Sequence, residues 1–363
     1  MFENMTLLQL QQYWWIIISL LGGLFAFIMF VQGGQTLLGR LSKGDEVLKT
    51  MLINSLGRKW ELGFTTLVLF GGALFAAFPL FYATSFGGAY WVWMAILFCF
   101  IIQAVSYEFR QKANNFLGQK VYELFLFING SLGVILLGTA IGTFFSGSSF
   151  TVDDNNFSLC QKCLGRLEAA TDIFNLSLGL ALFFLVRISG ALYFINNIDN
   201  ETIKERAIKS IKIDMPIFLG FFLIFLYLLL TKVGFAYDNL GVVYLQEYKY
   251  LYNFLEMPFV LGMFLIGLVM VVIAVVLTIH FKKTCCIKTG GVGIVLTVMA
   301  LFLNVGLNGT SYYPSIIDLQ SSLTIENSSG SHYTLTTMSY VSLMVPFVLA
   351  YIVYVWYQMD RVK

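Results

Sequence analysis

The sequence predicts an all-α integral membrane protein with nine transmembrane helices, on the basis of three observations. Of 363 residues, 58% are apolar and only 12% are charged, whereas an ordinary soluble domain carries about 25% charged residues. The apolar residues form runs long enough to cross a bilayer, which takes roughly 20 residues per helix. The 35 Phe and 19 Tyr residues suit lipid-facing surfaces and the aromatic belts at a membrane boundary. We therefore predict one polytopic membrane domain over residues 1–363.

Nine apolar runs define the predicted helices. The first is expected to be a retained helix, because Glu3 and no Lys or Arg precede it, whereas a secretory signal begins with positive charge. The second and third are joined by a tight turn at Ser85–Ala89. The fifth is the least apolar, with Asp172, Asn175 and Arg187, but omitting it would place basic loops on both sides of the membrane. The predicted helices are 14–35, 63–83, 89–107, 121–145, 171–195, 214–235, 257–280, 290–308 and 335–358.

The distribution of Lys and Arg predicts the orientation. Loops after odd-numbered helices, together with the C-terminal tail, hold 17 of the 22 basic residues. Because basic loops stay in the cytoplasm, we expect the N-terminus outside and the C-terminus in the cytoplasm. The outer loops 146–170, 236–256 and 309–334 are long and polar, and 196–213 is predicted to be a charged helical connector on the cytoplasmic side.

The five cysteines do not form a disulfide framework. Cys160 and Cys163 lie in an outer loop, where a disulfide could form in an oxidising compartment. Free thiols are the other interpretation, and one C-x-x-C pair supplies too few ligands for a structural zinc site. The sequence leaves both alternatives open.

The histidines argue against a complete redox catalyst. The chain has two, His280 at the end of the seventh helix and His332 in the last outer loop. They are expected on opposite sides of the membrane, so they cannot form a bis-His haem site within this chain. The sequence also lacks a phosphate-binding glycine loop, a nucleophile–base pair and a metal-binding cluster. We predict no catalytic residue, metal or cofactor held by this chain alone, and no nucleic-acid partner.

Two glutamates bracket the second and third helices, and carboxylates at a membrane boundary are costly unless they are paired or used. Glu61 follows Arg58 and Lys59 at the entry of the second helix. It is either an interfacial carboxylate neutralised by those cations or a proton-loading site, and we take it as the best candidate for a proton pathway. For Glu108, at the end of the third helix, we expect an ion pair with Arg58 or Lys59, with proton entry as the second interpretation.

Arg110 and Arg187 complete the predicted set of ion-pairing residues. Arg110 lies two residues after Glu108, so the two side chains point to different helix faces and need not pair. Arg187 lies inside the fifth helix, where an unpaired Arg costs about 2.5–3.5 kcal/mol on insertion scales. We expect Arg187 to pair structurally, with a carboxylate or a lipid headgroup; snorkelling to the membrane surface is the alternative.

The stretch 57–110 resembles subunit II of the cytochrome bd quinol oxidase family. The resemblance rests on Trp60–Glu61 at the helix entry, on the run GGALFAAFPLFY at Gly71–Tyr82, and on Glu108–Arg110 as an acidic-aromatic-Arg ending. Toward the C-terminus the family pattern is matched at Pro314–Ser315, Leu323–Thr324 and Leu335–Met338.

The family resemblance implies a fold and a function. The fold would be two four-helix bundles with a ninth peripheral helix, in the bacterial cytoplasmic (inner) membrane. Haem b and haem d would be held by the partner, subunit I. This chain would scaffold that partner and supply protons from the cytoplasm for the reduction of oxygen to water. The resemblance also allows a structural quinone, bound lipids and a small single-helix third subunit.

One departure from the family pattern concerns the first helix. Common members carry acidic residues there in a D-G-F-D-like stretch, whereas the matching segment here is Met29–Gly34. A proton path through this chain then depends on Glu61 and Glu108, or on water with Gln32 and Gln35.

A function from a different class is a self-contained proton-coupled secondary transporter, with Glu61 and Arg187 as coupling groups. Transporters favour broken helices with binding groups near the membrane midplane. The predicted clustering of the carboxylates at one membrane face counts against this alternative.

Overall fold

The structure, a computed structural model, describes residues 2–112, 115–153, 155–160 and 171–361. Within these residues, nine helical stretches are long and apolar enough to cross a membrane, which confirms the predicted fold class. We call them spans one to nine: Leu7–Gln35, Glu46–Ala77, Tyr90–Phe109, Gln119–Ser146, Ile173–Asn197, Glu201–Thr231, Pro258–Phe281, Cys286–Gly306 and His332–Met359.

The spans are built from shorter elements. A single π-helical turn, Asn129–Gly133, interrupts the α-helix within span four. The α-helices of the described residues are α1 (Leu7–Ile28), α2 (Phe30–Gln35), α3 (Leu38–Ser42), α4 (Glu46–Gly57), α5 (Trp60–Ala77), α6 (Pro79–Gly88), α7 (Tyr90–Phe109), α8 (Gln119–Ile128), α9 (Val134–Ser146), α10 (Ile173–Asn197), α11 (Glu201–Thr231), α12 (Lys249–Glu256), α13 (Pro258–Phe281), α14 (Cys286–Gly306), α15 (His332–Ser342) and α16 (Val345–Arg361).

Side-chain caps determine where several helices begin. The Asp172 carboxylate accepts hydrogen bonds from the backbone N–H groups of Phe174 and Asn175, at 2.8 and 3.2 Å. Asn200 caps α11 in the same way, by accepting from the N–H of Ile203 at 3.1 Å. These caps satisfy backbone donors that have no partner inside the helix. The polar residues before spans five and six therefore act as helix starts.

The spans pack as two four-helix bundles with span nine at the periphery. In the first bundle α1 packs on α5 and α7 packs on α8, and in the second α10 packs on α11 and α13 on α14. The bundles meet where α1 contacts α14 and where α10 contacts α2 and α9. Glycines make this seam close: a Cβ on Gly33 would collide with the carbonyl oxygen of Val186. A Cβ on Gly138 would lie 2.5 Å from the Cα of Gly179.

Two predicted helix boundaries are wrong for identifiable reasons. The second helix was expected to run to residue 83, but α5 ends at Ala77 and α6 begins at Pro79. Proline lacks a backbone N–H and its ring clashes with the preceding turn, which ends the helix there. The tight turn expected at Ser85–Ala89 is wrong as well, because Ser85 lies inside α6, which ends at Gly88. The sixth helix was expected from residue 214, but α11 begins at Glu201 and includes most of the charged connector. A prediction based on apolar runs finds the part of a helix that lies in the bilayer core, and it misses a charged extension of the same helix outside the core.

The spans expose two chemically different ends. One end carries the loops rich in Lys and Arg, including Arg58, Arg110 and Lys282, and we call it the basic end. The other carries the long polar loops, and we call it the long-loop end. Two antiparallel hairpins form there, β1 (Phe150–Val152) with β2 (Ser158–Cys160), and β3 (Gly234–Tyr237) with β4 (Val243–Gln246). The Cys160–Cys163 alternatives fall outside the described side chains.

Candidate functional site

A ring stack sets the relative height of the two candidate glutamates. Trp60 and Tyr107 lie with ring centroids 5.7 Å apart and planes inclined by 12°. Glu61 directly follows Trp60, and Glu108 directly follows Tyr107. The stack therefore places both carboxylates at the same level, at the basic end of α5 and α7.

Both glutamates end an outward-facing apolar stripe. Exposed residues recur one or two turns apart along α5 and α7, and in each stripe the glutamate is the residue nearest the basic end. Among the described residues, neither carboxylate makes a hydrogen bond or an ion pair. The α5 stripe is Glu61, Thr65, Val68, Gly72 and Phe75, and the α7 stripe is Trp91, Phe98, Ile101, Val105 and Glu108.

Arg58 and Lys59 contact the ninth span rather than the glutamates. The Lys59 side chain is fully buried. Its amino group donates to the backbone carbonyl oxygen of Trp356 at 3.3 Å and lies 4.9 Å from the centroid of the Trp356 indole ring. Arg58 Nη1 donates to the carbonyl oxygen of Met359 at 3.1 Å. Cations near a helix C-terminus satisfy carbonyls that lack intrahelical partners. The expected pairing of Glu108 with Arg58 or Lys59 is therefore wrong, as is neutralisation of Glu61 by direct contact with them.

Arg110 belongs to a network of alternating charges. Its Nη2 and Nε lie 2.7 and 3.1 Å from Oε1 of Glu123, and its Nη2 lies 3.6 Å from Glu46. Lys49 Nζ contacts the same two carboxylates, at 3.1 Å from Glu123 and 2.7 Å from Glu46. This network connects α4, α7 and α8, so the contacts of Arg110 are structural.

Arg187 lies beside a buried aspartate on the next span. Its Nε and Nη2 lie 3.3 and 3.4 Å from the Asp214 carboxylate, and its Nη1 donates to the Thr36 hydroxyl at 3.1 Å. Arg40 approaches the same carboxylate at 3.7 Å, and the Ser210 hydroxyl donates to it at 3.0 Å. The network connects the end of span one with spans five and six.

A column of buried amides lies inside the first bundle. Gln32, Gln35, Gln103 and Asn129 are all fully or almost fully buried. Gln32 donates weakly to Gln103 at 3.5 Å, and Gln35 donates to the Tyr107 hydroxyl at 3.2 Å. Five amide atoms in this set, from all four residues, have no hydrogen-bond partner within the described part of the chain.

The amide column and the glutamates lie on opposite sides of α5. A Cβ on Gly63 would lie 3.2 Å from Nε2 of Gln32, so this side of α5 faces the column. Glu61 is two residues away, about 200° around the helix. The column is therefore separate from the outward-facing carboxylates.

An apolar groove opens beside the ninth span. It has a volume of about 760 Å³ and lies between α1, α10, α14 and α16. Phe27, Tyr193 and Trp356 form aromatic walls, and Lys288 stands among the lining residues. The other lining residues are apolar except for Asn196 and Tyr357.

The two histidines lie at opposite ends of the molecule. His280 is in the last turn of α13, at the basic end. His332 Nε2 lies 2.9 Å from the carbonyl oxygen of Met5, at the long-loop end. Within the described residues, no group of three or more His, Cys, Asp or Glu is placed to hold a metal ion.

Sequence reasoning missed four residues of these networks: Glu46, Asp214, Gln103 and Asn129. Gln103 and Asn129 carried a usable signal, because a polar amide inside a long apolar run is costly in a bilayer unless it has a partner. Asp214 stood at the predicted start of the sixth helix, where it resembled an ordinary boundary residue. Only its contact with Arg187 shows its role.

Comparison with known proteins gives a consistent result. The model of the family described as cytochrome bd terminal oxidase subunit II matches residues 10–359. The cytochrome bd-I ubiquinol oxidase subunit 2 of Escherichia coli strain K12 is 23% identical over 374 residues, covering 95% of this chain and 93% of that protein. The cytochrome bd ubiquinol oxidase subunit 2 of Bacillus subtilis is 30% identical over 146 residues, covering 40% of this chain and 43% of that protein.

A solved structure shares the fold. A chain of the bd oxidase from Geobacillus thermodenitrificans superposes with a TM-score of 0.65 at 11% identity, covering 97% of this chain and 99% of that one. Together with the family match along almost the whole chain, this leaves the transporter alternative without support. This multi-pass membrane chain belongs to the cytochrome bd terminal oxidase subunit II family.

Proposed function

We propose that this chain is the non-haem subunit II of a quinol:oxygen oxidoreductase in a bacterial cytoplasmic membrane. In this role it scaffolds a haem-bearing subunit I and supplies that partner with protons. The observation that carries the proposal is the pair of outward-facing stripes on α5 and α7, each with a terminal glutamate at the basic end and otherwise apolar apart from Thr65 on α5. Such a surface offers a partner an apolar contact and, at its edge, two proton-exchanging groups.

The stripes fit a protein partner that contributes the chemistry. Apolar outward faces bury against another transmembrane subunit without desolvation cost, and small residues such as Gly72 allow close helix approach. Haem b and haem d are assigned to the partner, since the two histidines here lie at opposite ends. The partner's oxygen chemistry needs protons, and Glu61 and Glu108 are the carboxylates that face outward at the stripe ends.

The direction of proton supply follows from the charge distribution. The end that bears the glutamates also bears most of the Lys and Arg residues, and basic loops face the cytoplasm. We therefore assign the basic end, with the C-terminus, to the cytoplasm. Protons taken up there and consumed at the partner's oxygen site would move positive charge from the cytoplasm into the membrane. Each charge that crosses a potential of 100 mV represents about 2.3 kcal/mol.

The buried amide column provides a second route in the same chain. A buried polar atom left without a hydrogen bond costs about 1–3 kcal/mol, and buried waters commonly satisfy such atoms. We assign water to the open positions beside Gln32, Gln35, Gln103 and Asn129. Proton uptake that slows in Gln103→Leu and stays normal in Glu61→Gln would place the route in the column instead of the glutamates.

The groove beside span nine supports a quinone or lipid site. Its aromatic walls suit an isoprenoid chain, and Lys288 stands at the boundary where a polar head group would lie. We assign a quinone there a structural role, because the proposal places the haems in the partner subunit. Quinone extracted from the purified complex, and lost in Val292→Trp at an exposed position of the groove lining, would support this placement.

Co-purification tests the proposed role directly. A tagged chain isolated in mild detergent should bring with it one haem-carrying polypeptide and b- and d-type absorbance. Recovery of the chain as a monodisperse protein, with no haem and no companion, would contradict the proposal. A small single-helix third subunit, if present, would appear in the same preparation as a further band.

A further inference from the structure

The β3–β4 hairpin and α12 form a surface at the long-loop end where exposed apolar and tyrosine side chains outnumber the exposed carboxylates of Asp238, Glu247 and Glu256. Leu240 at the hairpin tip is 87% exposed, and Phe259 at the start of α13 is 79% exposed. Between them lie six more exposed apolar or tyrosine side chains. We call the set the hairpin surface: Leu240, Val242, Tyr244, Leu245, Tyr248, Tyr252, Leu255 and Phe259.

The hairpin surface is held rigidly from its inner side. The carbonyl oxygen of Phe235 accepts from the N–H of Ser311 at 2.8 Å. The Gln320 side chain makes two hydrogen bonds with the backbone of Val243: its oxygen accepts from the N–H at 3.1 Å, and its amide nitrogen donates to the carbonyl oxygen at 3.0 Å. The tip is closed by Asp238, whose carboxylate accepts from the N–H of Leu240 at 2.9 Å. The outward side chains therefore project from a fixed scaffold rather than from a loose loop.

The short helix α12 shows the same division between its faces. Its inner face holds the polar contacts: Lys249 donates to the carbonyl oxygen of Asn308 at 2.8 Å, and Asn253 to that of Asn304 at 2.8 Å. Burial lowers the pKa of the Lys249 amino group. Its exposed residues are Tyr252, Leu255 and, at the end of the helix, Glu256. In a helix that faces only water the polar residues lie outside, whereas here two apolar or tyrosine side chains and one carboxylate share the outward face, which indicates a boundary between water and a nonaqueous neighbour.

The identity of that neighbour follows from continuity with span seven. Below Phe259, the outward stripe of α13 contains only apolar residues: Leu265, Ile266, Val269, Val272, Ile273 and Val276. The hairpin surface continues this stripe to the membrane boundary and adds three tyrosines there. Tyrosine is enriched at lipid–water interfaces, where the ring is buried and the hydroxyl is hydrated.

We propose that the hairpin surface lies in the lipid interface at the long-loop end, with Leu240 and Leu245 among the acyl chains and the tyrosines at headgroup level. Its binding partner is the bilayer rather than another protein. The hairpin then acts as a fixed interfacial anchor that sets the depth of spans six and seven. Neither the proposed role of the glutamates nor the assignment of the long-loop end to a compartment enters this inference.

A depth measurement on the intact complex in lipid vesicles tests the proposal. Leu240→Cys and Leu245→Cys, in a background with the native cysteines replaced by Ser, are labelled with an environment-sensitive fluorophore. The matched lipid control is Ile266→Cys on α13, and the water control is Asn155→Cys, an exposed polar position at the same end. Nitroxide attached to phospholipid and aqueous iodide are then used as quenchers.

The expected result is that Leu240→Cys and Leu245→Cys follow the Ile266→Cys control. Lipid-borne nitroxide should remove most of their emission, and iodide should leave it almost unchanged. Quenching by iodide alone, as at Asn155→Cys, would show a water-exposed surface and overturn the proposal. Protection from both quenchers would show that another protein covers the surface, and would overturn it equally.

A second measurement avoids the substitutions. The wild-type complex in vesicles containing a diazirine-bearing phospholipid is photolysed and digested, and labelled peptides are identified by mass spectrometry. Peptides covering 238–256 should carry the label at a yield comparable to that of α13 peptides. Label on α13 with none on 238–256 would contradict the anchor.

Discussion

Removing the Asp214 carboxylate should be among the most destabilising single changes in this chain. Asp214 is 2% exposed and holds Arg187 through contacts of 3.3 and 3.4 Å. Asp214→Asn keeps the shape but leaves the Arg187 guanidinium buried without its counter-charge. Breaking a buried ion pair from one side costs about 3–5 kcal/mol. We expect a cost in that range, reduced to the extent that Thr36 and water take over the released donors.

The assay is thermal unfolding of the purified complex, followed as the fraction that stays monodisperse after heating. The matched control is Asp199→Asn, which alters an exposed carboxylate 2.8 Å from Lys204 on the same side of the protein. Exposed ion pairs contribute about 0–1 kcal/mol, so this variant should unfold close to the wild type.

A double variant separates charge from packing. Arg187→Gln removes the charge that Asp214→Asn leaves unpaired, so the double variant should be more stable than Asp214→Asn alone. A double variant no more stable than the single one would show that the loss comes from packing or from Arg40. Wild-type unfolding of Asp214→Asn itself would refute the role assigned to this network.

Three further outcomes test the packing that positions the site. Gly33→Ala should prevent recovery of folded complex, because its Cβ would collide with the Val186 carbonyl. Gly39→Ala should give the wild-type yield, because nothing lies within 4 Å of its Cβ. The yield of monodisperse complex is the measurement that distinguishes the two variants. Trp60→Leu should cost about 0.5–1.5 kcal/mol beyond the lost buried area, through the stack with Tyr107, and thermal unfolding would reveal it. Arg110→Gln should cost about 1.5–3 kcal/mol by removing hydrogen bonds to a charged group, and a stability equal to the wild type would contradict the network.

The number and order of the spans were predictable from the sequence because bilayer thickness imposes a length on each apolar run. Their ends were less predictable, since α11 continues to Glu201 as a charged helix outside the apolar core. Pro79 gave a signal for the break after α5, but proline alone does not decide a helix end, since Pro216 lies inside α11 without ending it. The four strands formed in loops whose composition was predicted only to be polar.

The ion pairs could not be predicted in the same way. Arg187 meets Asp214 across 27 residues and Arg110 meets Glu123 across 13, and such contacts depend on how spans pack. The sequence placed Arg58 and Lys59 next to Glu61, yet both reach the last turns of α16 instead. Proximity along the chain was misleading because the helix directs successive side chains to different sides. The common level of Glu61 and Glu108 likewise depends on packing, through the Trp60–Tyr107 stack.

Proton uptake during turnover of the intact complex tests the central claim most directly. Glu61→Gln keeps the size of the side chain and removes the exchangeable proton, and Glu205→Gln is the control, an exposed carboxylate at the same end but on α11. In vesicles with quinol and oxygen, Glu61→Gln should slow proton uptake and oxygen reduction together while the haem spectrum is unchanged, and Glu205→Gln should behave as the wild type. Normal proton uptake and turnover in Glu61→Gln would contradict the account.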